Sequence, residues 1–186
     1  MTEQLTPAVD TLTGDYTLDP SHSRLGFVAR HAVVTKVRGQ FTDWAATAHV
    51  DAENPAASSV ELTIKPSSVS TGSADRDGHL ASADFFDAEQ FPEWKFVSTA
   101  VSREGSDWTI TGDLTIKDVT KSISIVFEET GSAKDPFGNI RVGFEGAAEI
   151  NRKDFGLTWN AALETGGVLV SEKIKLEFDI SAIKNA

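Results

Sequence analysis

Strict alternation of apolar and polar residues runs through most of this 186-residue chain. Successive side chains of a β-strand point to opposite faces, so each alternating run predicts a strand with one dry and one wet face. The clearest run has apolar or small residues at every second position, at Ile140, Val142, Phe144, Gly146, Ala148 and Ile150. Shorter runs occur at 25–31, 37–50, 60–64, 94–96, 108–116, 123–127 and 174–180. The chain is therefore predicted to be all-β.

The spacing of these runs also predicts how the strands connect. Turn-forming residues separate them at 53–55, 104–107 and 134–139, and the break at 104–107 is short enough for a hairpin. A change of phase near Trp44 predicts a bulge within a long strand. Only 73–90 lacks alternation, and we expect a short helix there, beginning near Ser73 and ending before Asp84. About eight long strands, each with one inward face, favour a lipocalin-like, eight-stranded antiparallel up-and-down barrel with one short helical segment.

Domain organisation follows from the absence of an internal linker. No stretch rich in Pro, Ser or Gly divides the chain, so residues 14–186 are expected to form one barrel after a flexible leader at 1–13. The first residues have neither the basic nor the apolar region of a secretory signal. No apolar run reaches the length of a membrane-spanning helix. The sequence therefore predicts a cytoplasmic protein without stable membrane insertion.

Composition excludes several classes of function. A formal net charge of −11 makes nucleic-acid binding unfavourable, because phosphate neutralisation needs clustered Lys and Arg. The absence of cysteine excludes disulfides and thiolate metal sites. Residues 73–84 partly match a calcium loop, but Ser73 stands where Asp is needed and Asp84 where a bidentate Glu is needed. The four histidines show no paired spacing, so we predict no metal and no cofactor.

Catalysis has no sequence signature here. The chain contains neither a G-x-S-x-G nucleophile motif nor a glycine-rich phosphate loop that opens a helix. His79 lies near Ser and Asp residues, but such groupings arise by chance in a chain this rich in both. A non-enzymatic protein is predicted.

Small residues on the inward faces suggest an internal cavity. Gly39, Gly112, Gly146, Ala46 and Ala148 occupy positions that a packed core would fill with larger side chains. Space in an apolar interior admits a lipid-like guest, and neighbouring aromatic residues such as Phe27, Phe41, Phe96 and Trp159 are candidates to line it. The alternative is that the small residues face large aromatic rings, which would fill the space.

One end of the barrel is predicted to be polar and basic. The turn at 31–38 contains His31 and Arg38, and the predicted helix contains Arg76 and His79. Because both segments lie at barrel ends, we expect these side chains to converge and bind an anionic or carbonyl head group. The alternative is that they pair with the nearby carboxylates of Asp75, Asp77 and Asp84.

Four segments, in order, match a known family. They are 31–41 (HAVVTKVRGQF), 76–96 with its D-F-F-D sequence, 112–123, and 155–170 with FGLTWN followed by LETGGVLV. On these motifs the chain resembles the YceI-like family of lipid-binding proteins over about 16–183. The resemblance implies a lipocalin-like barrel that holds a long isoprenoid in an internal tunnel, and it places Arg76, His79, Asp84, Phe85 and Phe86 at the segment that gates or lines the tunnel.

Together, the residues and the resemblance predict non-enzymatic binding, carriage or sequestration of a polyprenyl or isoprenoid-quinone lipid. That bound lipid is the only partner expected, and a homodimer is left open. The expected ligand-binding residues are Phe27, His31, Arg38, Phe41, Arg76, His79, Phe85, Phe86, Phe96 and Trp159. Two alternatives remain: a binding protein or enzyme acting on a fatty acyl or amide amphiphile, and a structural β-domain with a filled core.

Overall fold

The computed structural model describes residues 12–32, 34–160 and 170–185. One α-helix, α1 (Ala74–Ala81), lies wholly within these residues. The strands are β1 (Gly14–Leu18), β2 (Arg24–His31), β3 (Thr35–Phe41), β4 (Trp44–Val50), β5 (Ser59–Ile64), β6 (Val69–Ser70), β7 (Trp94–Glu104), β8 (Asp107–Ile116), β9 (Val119–Lys134), β10 (Ile140–Asn151) and β11 (Lys173–Lys184). No helix in the described parts of the chain is both long and apolar enough to cross a membrane.

Eight strands close a ring in the order β1, β4, β5, β7, β8, β9, β10, β11, and β1 pairs back onto β11. Every pair is antiparallel. Strand β11 closes the ring with its second half, where Ala182 pairs with Leu18, and pairs with β2 through its first half, where Leu176 pairs with Phe27. The predicted all-β, eight-stranded antiparallel barrel with one short helix is confirmed.

Two corners divide continuous arms of the chain into separate strands. The arm from β1 to β2 bends at a short 3-10 turn, Pro20–His22, and the arm from β3 to β4 bends at 42–43. Because β1 pairs with β4 and β2 pairs with β3, the two arms form one bent hairpin. The phase change near Trp44 is therefore a corner between two strands, and the predicted bulge at that position is wrong.

The helix and the short hairpin lie where the sequence predicts them. Helix α1 begins after Ser73, whose hydroxyl accepts a hydrogen bond from the Arg76 backbone N–H at 3.3 Å. Asp75 and Asp77 lie in its first turn, where carboxylates stabilise the positive end of a helix dipole. Strands β7 and β8 meet with Glu104 paired to Asp107, so the predicted hairpin is confirmed.

The buried side chains form two clusters along the barrel axis. The larger includes Phe41, Trp94 and Phe96 and lies toward the end covered by α1; the smaller is built around Tyr16, Trp108 and Val142. Leu12 packs against the smaller cluster, and its carbonyl accepts a 2.7 Å hydrogen bond from the Tyr16 hydroxyl. Leu12 and Thr13 are the part of the predicted leader that the structure describes; residues 1–11 lie outside the described residues.

An ion-pair cluster joins three elements at the end opposite α1. The Arg141 guanidinium donates to Asp135 and to Asp19, each at 2.8 Å, and to the Ser181 hydroxyl at 3.1 Å. These hydrogen bonds lower the pKa of Asp135 from 3.8 to about 2 and lower the pKa of Asp19 further. Arg141 thereby connects the β9–β10 turn to the corner between β1 and β2.

Stability conferred by this cluster should be lost in acid. A carboxyl whose folded-state pKa is depressed stabilises the fold above its unfolded pKa, and that contribution disappears as the pH falls through the folded value. We therefore expect the difference in Tm between wild type and Arg141→Gln to be largest above the ordinary carboxyl pKa of 3.8 and to shrink as the pH falls toward about 2. Thermal unfolding followed by circular dichroism across this range tests the prediction. A pH-independent difference would contradict it.

Candidate binding cavity

An apolar cavity of about 180 Å³ lies inside the barrel, beneath α1. Its wall presents carbon atoms almost exclusively. Inward-facing residues of the strands form most of the wall, Leu80 of α1 and the following Phe85 and Phe86 cover one end, and Leu157 and Val170 complete it. Five of the predicted ligand-binding residues line this cavity: Phe27, Phe41, Phe85, Phe86 and Phe96.

A second apolar cavity of about 90 Å³ lies further along the same axis. It is lined by members of the smaller core cluster, including Tyr16, Val101 and Trp108. The two cavities share the wall residues Leu18, Val60, Ile110, Phe127 and Ile180. They therefore form one interrupted lumen along the barrel axis, and these five side chains stand at the interruption.

Aromatic rings cover the inward glycines. A Cβ at Gly39 would lie 2.3 Å from the ring of Phe27, one at Gly112 would lie 2.5 Å from Phe96, and one at Gly146 would lie 2.6 Å from Phe127. The prediction that these glycines leave open space is therefore wrong, because neighbouring rings occupy it. Those same three rings line the main cavity. Because glycine has no side chain, an aromatic ring from the neighbouring strand can lie against the barrel wall at each of these positions.

The lumen is smaller in this structure than a long lipid requires. An apolar cavity near 150 Å³ holds one benzene-sized guest, so the main cavity as described accommodates a short hydrocarbon segment. A tail of tens of carbons needs the two cavities to join. The five shared side chains are the ones that must move for this to happen.

The cavity wall includes one buried cation. Arg152 is only 3% exposed and follows β10 at an inward position. Its guanidinium bonds four backbone carbonyls: Leu157 at 2.6 Å, Ser171 at 2.8 Å, Trp159 at 2.9 Å and Val170 at 3.3 Å. Burial lowers the pKa of Arg152, an effect that nearby Glu172 partly offsets. Arg152 therefore joins residues 157–159 to residues 170–171, and Leu157 and Val170 line this side of the cavity.

One buried polar atom at the cavity has no partner. The indole nitrogen of Trp94 is the only fully buried side-chain nitrogen or oxygen, among the described residues, without a hydrogen bond. Trp94 lines the main cavity and packs against Phe41 and Phe86, with ring centroids 5.0 and 4.8 Å away. A buried donor without an acceptor is costly, and the described residues offer Trp94 Nε1 no acceptor.

The predicted basic end of the barrel is organised mainly by internal contacts. His79 Nε2 lies 2.9 Å from an Asp84 carboxylate oxygen, and its ring packs edge-on against Phe85 and Trp159. Arg76 donates to the Thr71 hydroxyl and carbonyl, each at 2.8 Å, and Asp77 accepts from the same hydroxyl. His79 thus pairs with a predicted carboxylate partner, whereas Arg76 bonds Thr71 instead.

The other predicted head-group residues are exposed to solvent and do not line the cavity. Arg38 lies on the outward face of β3, opposite Val28, and is exposed. His31 is exposed at the end of β2, where it bridges to Val170. Among the described residues, Arg76 and His79 form hydrogen bonds with Thr71 and Asp84 and none with Arg38. Whether these residues, or Trp159 beside Phe85, contact a ligand stays a prediction.

Residues 73–84 do not form a calcium loop, because most of them belong to α1. Asp77 bonds Thr71 and Asp84 bonds His79. The described residues contain no group of three or more His, Asp or Glu side chains arranged to hold a metal ion. The absence of a metal requirement stays a prediction.

Two features of the cavity were missed from the sequence. Arg152 lies two residues after Ile150 and so takes the next inward position of the alternating series in β10. The alternation alone could have identified it as inward-facing. The unpaired nitrogen of Trp94 had no signal, since hydrogen-bond satisfaction depends on neighbours from distant strands.

Sequence comparison finds close relatives. The YceI-like domain matches residues 16–182. A UPF0312 protein of Photorhabdus laumondii is 41% identical over 150 residues, which cover 80% of this chain and 78% of the relative. Protein YceI of Escherichia coli O17:K52:H18 is 39% identical over 152 residues, which cover 81% and 80% of the two chains.

Solved structures with the same fold include two more distant proteins. BcnA of Burkholderia cenocepacia aligns with a TM-score of 0.77 at 23% identity, covering 88% of this chain and 98% of BcnA. A polyisoprenoid binding domain from Saccharophagus degradans aligns with a TM-score of 0.68 at 15% identity, covering 91% and 98%. At these identities the likeness concerns the fold alone. The profile match over nearly the whole barrel and the close relatives establish that this chain belongs to the YceI-like domain family.

Proposed function

We propose that this protein binds a long-chain isoprenoid lipid in the barrel lumen and acts as a carrier or sequestering protein without catalysis. The observation that carries the proposal is the axial pair of apolar cavities, whose walls expose almost nothing but carbon. Each buried methylene contributes about 0.8 kcal/mol. A hydrocarbon tail in this lumen would therefore bind tightly with very few polar contacts.

The choice of an isoprenoid rests on family membership and on the polyisoprenoid binding domain of the same fold. A polyprenyl chain and an isoprenoid quinone both fit this proposal. A fatty acyl or amide amphiphile is the second candidate, because its tail could enter the same apolar lumen.

A binding role is also supported by the chemistry of the wall. Arg152 is the only charged side chain among the described residues that line the main cavity, and backbone carbonyls occupy its donors. Tyr16 and His49 are the titratable residues at the second cavity. General acid–base or nucleophilic chemistry needs groups that converge on one reacting atom. The two cavities offer no such convergence among the described residues.

The unpaired indole of Trp94 suggests which part of a ligand reaches it. We propose that a hydroxyl, carbonyl or phosphate oxygen of the lipid accepts a hydrogen bond from Trp94 Nε1. A neutral hydrogen bond contributes about 1 kcal/mol net, which is about fivefold in affinity. A bound hydrocarbon without an oxygen would leave the donor unpaired.

Replacing Trp94 by phenylalanine should therefore weaken binding of farnesol about fivefold more than binding of a saturated hydrocarbon of equal length. Quenching of the remaining tryptophan fluorescence, checked by native mass spectrometry, measures both affinities. The hydrocarbon serves as the control for any loss of packing. Equal losses for the two ligands would show that Trp94 contributes only its ring.

The same titrations distinguish the two candidate ligand classes. We expect wild type to bind farnesol more tightly than a straight-chain fatty amide with the same number of carbons. Tighter binding of the amide would favour the second candidate. The cytoplasmic location and the oligomeric state stay predictions from the sequence.

A further inference from the structure

The stretch that contains the β2–β3 hairpin carries positive charge and no negative charge. Residues 20–42 contain Arg24, Arg30, Lys36 and Arg38 but no Asp or Glu. The rest of the chain has 13 Lys and Arg against all 28 Asp and Glu of the protein. An acid-free stretch of this length is unusual in so acidic a chain, and it coincides with one structural unit, because β2 and β3 pair along their length.

The pairing register concentrates these cations on the outer surface. Arg30 lies directly opposite Lys36, and Arg38 lies opposite Val28. On the other side of β2, Lys175 of β11 is paired with Val28. Arg30, Lys36, Arg38 and Lys175 are all exposed and form what we term the cationic face.

The three hairpin cations of the cationic face have no acidic residue opposite them on a neighbouring strand, whereas Lys175 lies opposite Glu149 of β10, whose carboxylate is 3.8 Å from Lys173. None of the four members of the face has an ion pair with any described residue. The acidic residues of β11, Glu177 and Asp179, pair with Gly26 and Arg24, further from the hairpin turn. Like charges directly opposite on neighbouring strands, such as Arg30 and Lys36, destabilise a sheet. This cost suggests that the arrangement serves binding rather than folding.

The cationic face borders the end of the cavity that α1 covers. Ala29 lines the cavity and directly precedes Arg30, and Val170 lines the cavity and bridges to His31. Val34, in the turn between β2 and β3, is 79% exposed. An exposed apolar side chain among cations suits the boundary between head groups and acyl chains of a bilayer.

We propose that the β2–β3 hairpin docks this protein on an anionic lipid surface, so that the cavity end lined by Ala29, Leu80 and Val170 faces the membrane. The inference rests on the proposed function, because a lipid cargo must be taken from or delivered to a membrane. Acidic residues near this end oppose docking only in part, because Asp84 pairs with His79 and Asp77 accepts from the Thr71 hydroxyl, which leaves Asp75 of α1. The remainder of the net charge of −11 is spread over the whole barrel. Charges more than about 10 Å away are largely screened by salt, and the barrel strands are several times longer than this.

The double variant Lys36→Gln/Arg38→Gln tests the proposal. Each cation near an anionic surface contributes about fivefold to membrane partitioning, so removing two should weaken it about 25-fold. Flotation with vesicles of phosphatidylglycerol and phosphatidylcholine measures the partitioning, and vesicles of phosphatidylcholine alone are the uncharged comparison. Lys134→Gln/Lys184→Gln is the matched control, because it makes the same charge change at the opposite end of the barrel, beside the β9–β10 turn and Tyr16. We expect the control to bind like wild type and added salt to weaken binding.

Three results would overturn the docking proposal: no wild-type binding to the anionic vesicles, equal loss in both double variants, or full displacement by glycerol phosphate at constant ionic strength. The last result would indicate a site for a soluble anion.

Farnesol binding, measured without vesicles, separates this inference from the proposed function. Farnesol binding without vesicle binding removes docking alone. Vesicle binding without farnesol binding would contradict the proposed lipid cargo, and the reason given for docking would then be lost.

Discussion

Replacing Arg152 by methionine should lower the free energy of unfolding by about 3 kcal/mol. Methionine is apolar and unbranched, so it can fill much of the same space, but it donates no hydrogen bond. The four backbone carbonyls that Arg152 bonds would lose their shared partner. A buried acceptor without a partner costs about 1–3 kcal/mol, and water entering the cavity end would recover part of the loss.

Urea unfolding measures the loss in the free energy of unfolding, and amide hydrogen exchange shows which parts of the structure open more often. We expect faster exchange near Leu157 and Ser171, which Arg152 joins. Lys153→Met is the matched control, because it removes a neighbouring cation whose ion pair with Glu172 is about half exposed. Such surface pairs contribute at most about 1 kcal/mol. Arg152→Lys should be intermediate, since an ammonium cannot reproduce the fork of the guanidinium. Equal destabilisation by Arg152→Met and Lys153→Met would contradict this role.

Replacing Ala46 by phenylalanine should block the lumen while the barrel still folds. Ala46 is buried on β4 and lines the main cavity, so a larger side chain enters empty space rather than packed core. Excluding about four carbons of a lipid tail costs about 3 kcal/mol, which is about a hundredfold in affinity. Farnesol titration measures the loss.

The neighbouring Ala45→Phe is the control for this experiment. Ala45 is exposed on the outer face of the same strand, so the added ring meets solvent. We expect Ala45→Phe to bind farnesol like wild type, and circular dichroism should show both variants folded. Overpacking can cost about 1–3 kcal/mol, so a milder Ala46→Leu variant provides a second folded test. Unchanged farnesol affinity in a folded Ala46→Phe variant would place the ligand elsewhere.

Much of the fold could be predicted because alternation reports the local geometry of a strand directly. The inward series from Val142 to Ile150 and the hairpin at 104–107 depend on residues close in sequence. The α1 helix could be located by the absence of that alternation and by the Ser73 cap. The corner between Phe41 and Trp44 was mistaken for a bulge, because both produce the same change of phase.

The interior could be predicted only in part. Aromatic residues such as Phe27 and Phe96 could be assigned to the lumen from their inward positions. The same rings also cover Gly39 and Gly112. Alternation does not predict this contact, because it does not specify the direction in which a side chain extends across neighbouring strands. Arg76 bonds the hydroxyl and the carbonyl of Thr71, and Arg152 bonds backbone carbonyls, so a search for charge pairs in the sequence does not find these partners.

Organic extraction of the purified protein, followed by mass spectrometry, tests whether the lumen carries an isoprenoid lipid. We expect about one isoprenoid lipid per chain in wild type and in Ala45→Phe, and almost none in folded Ala46→Phe. Wild type prepared from cells rich in isoprenoid lipids but carrying no stoichiometric lipid would contradict this expectation, as would equal lipid in Ala46→Phe and wild type.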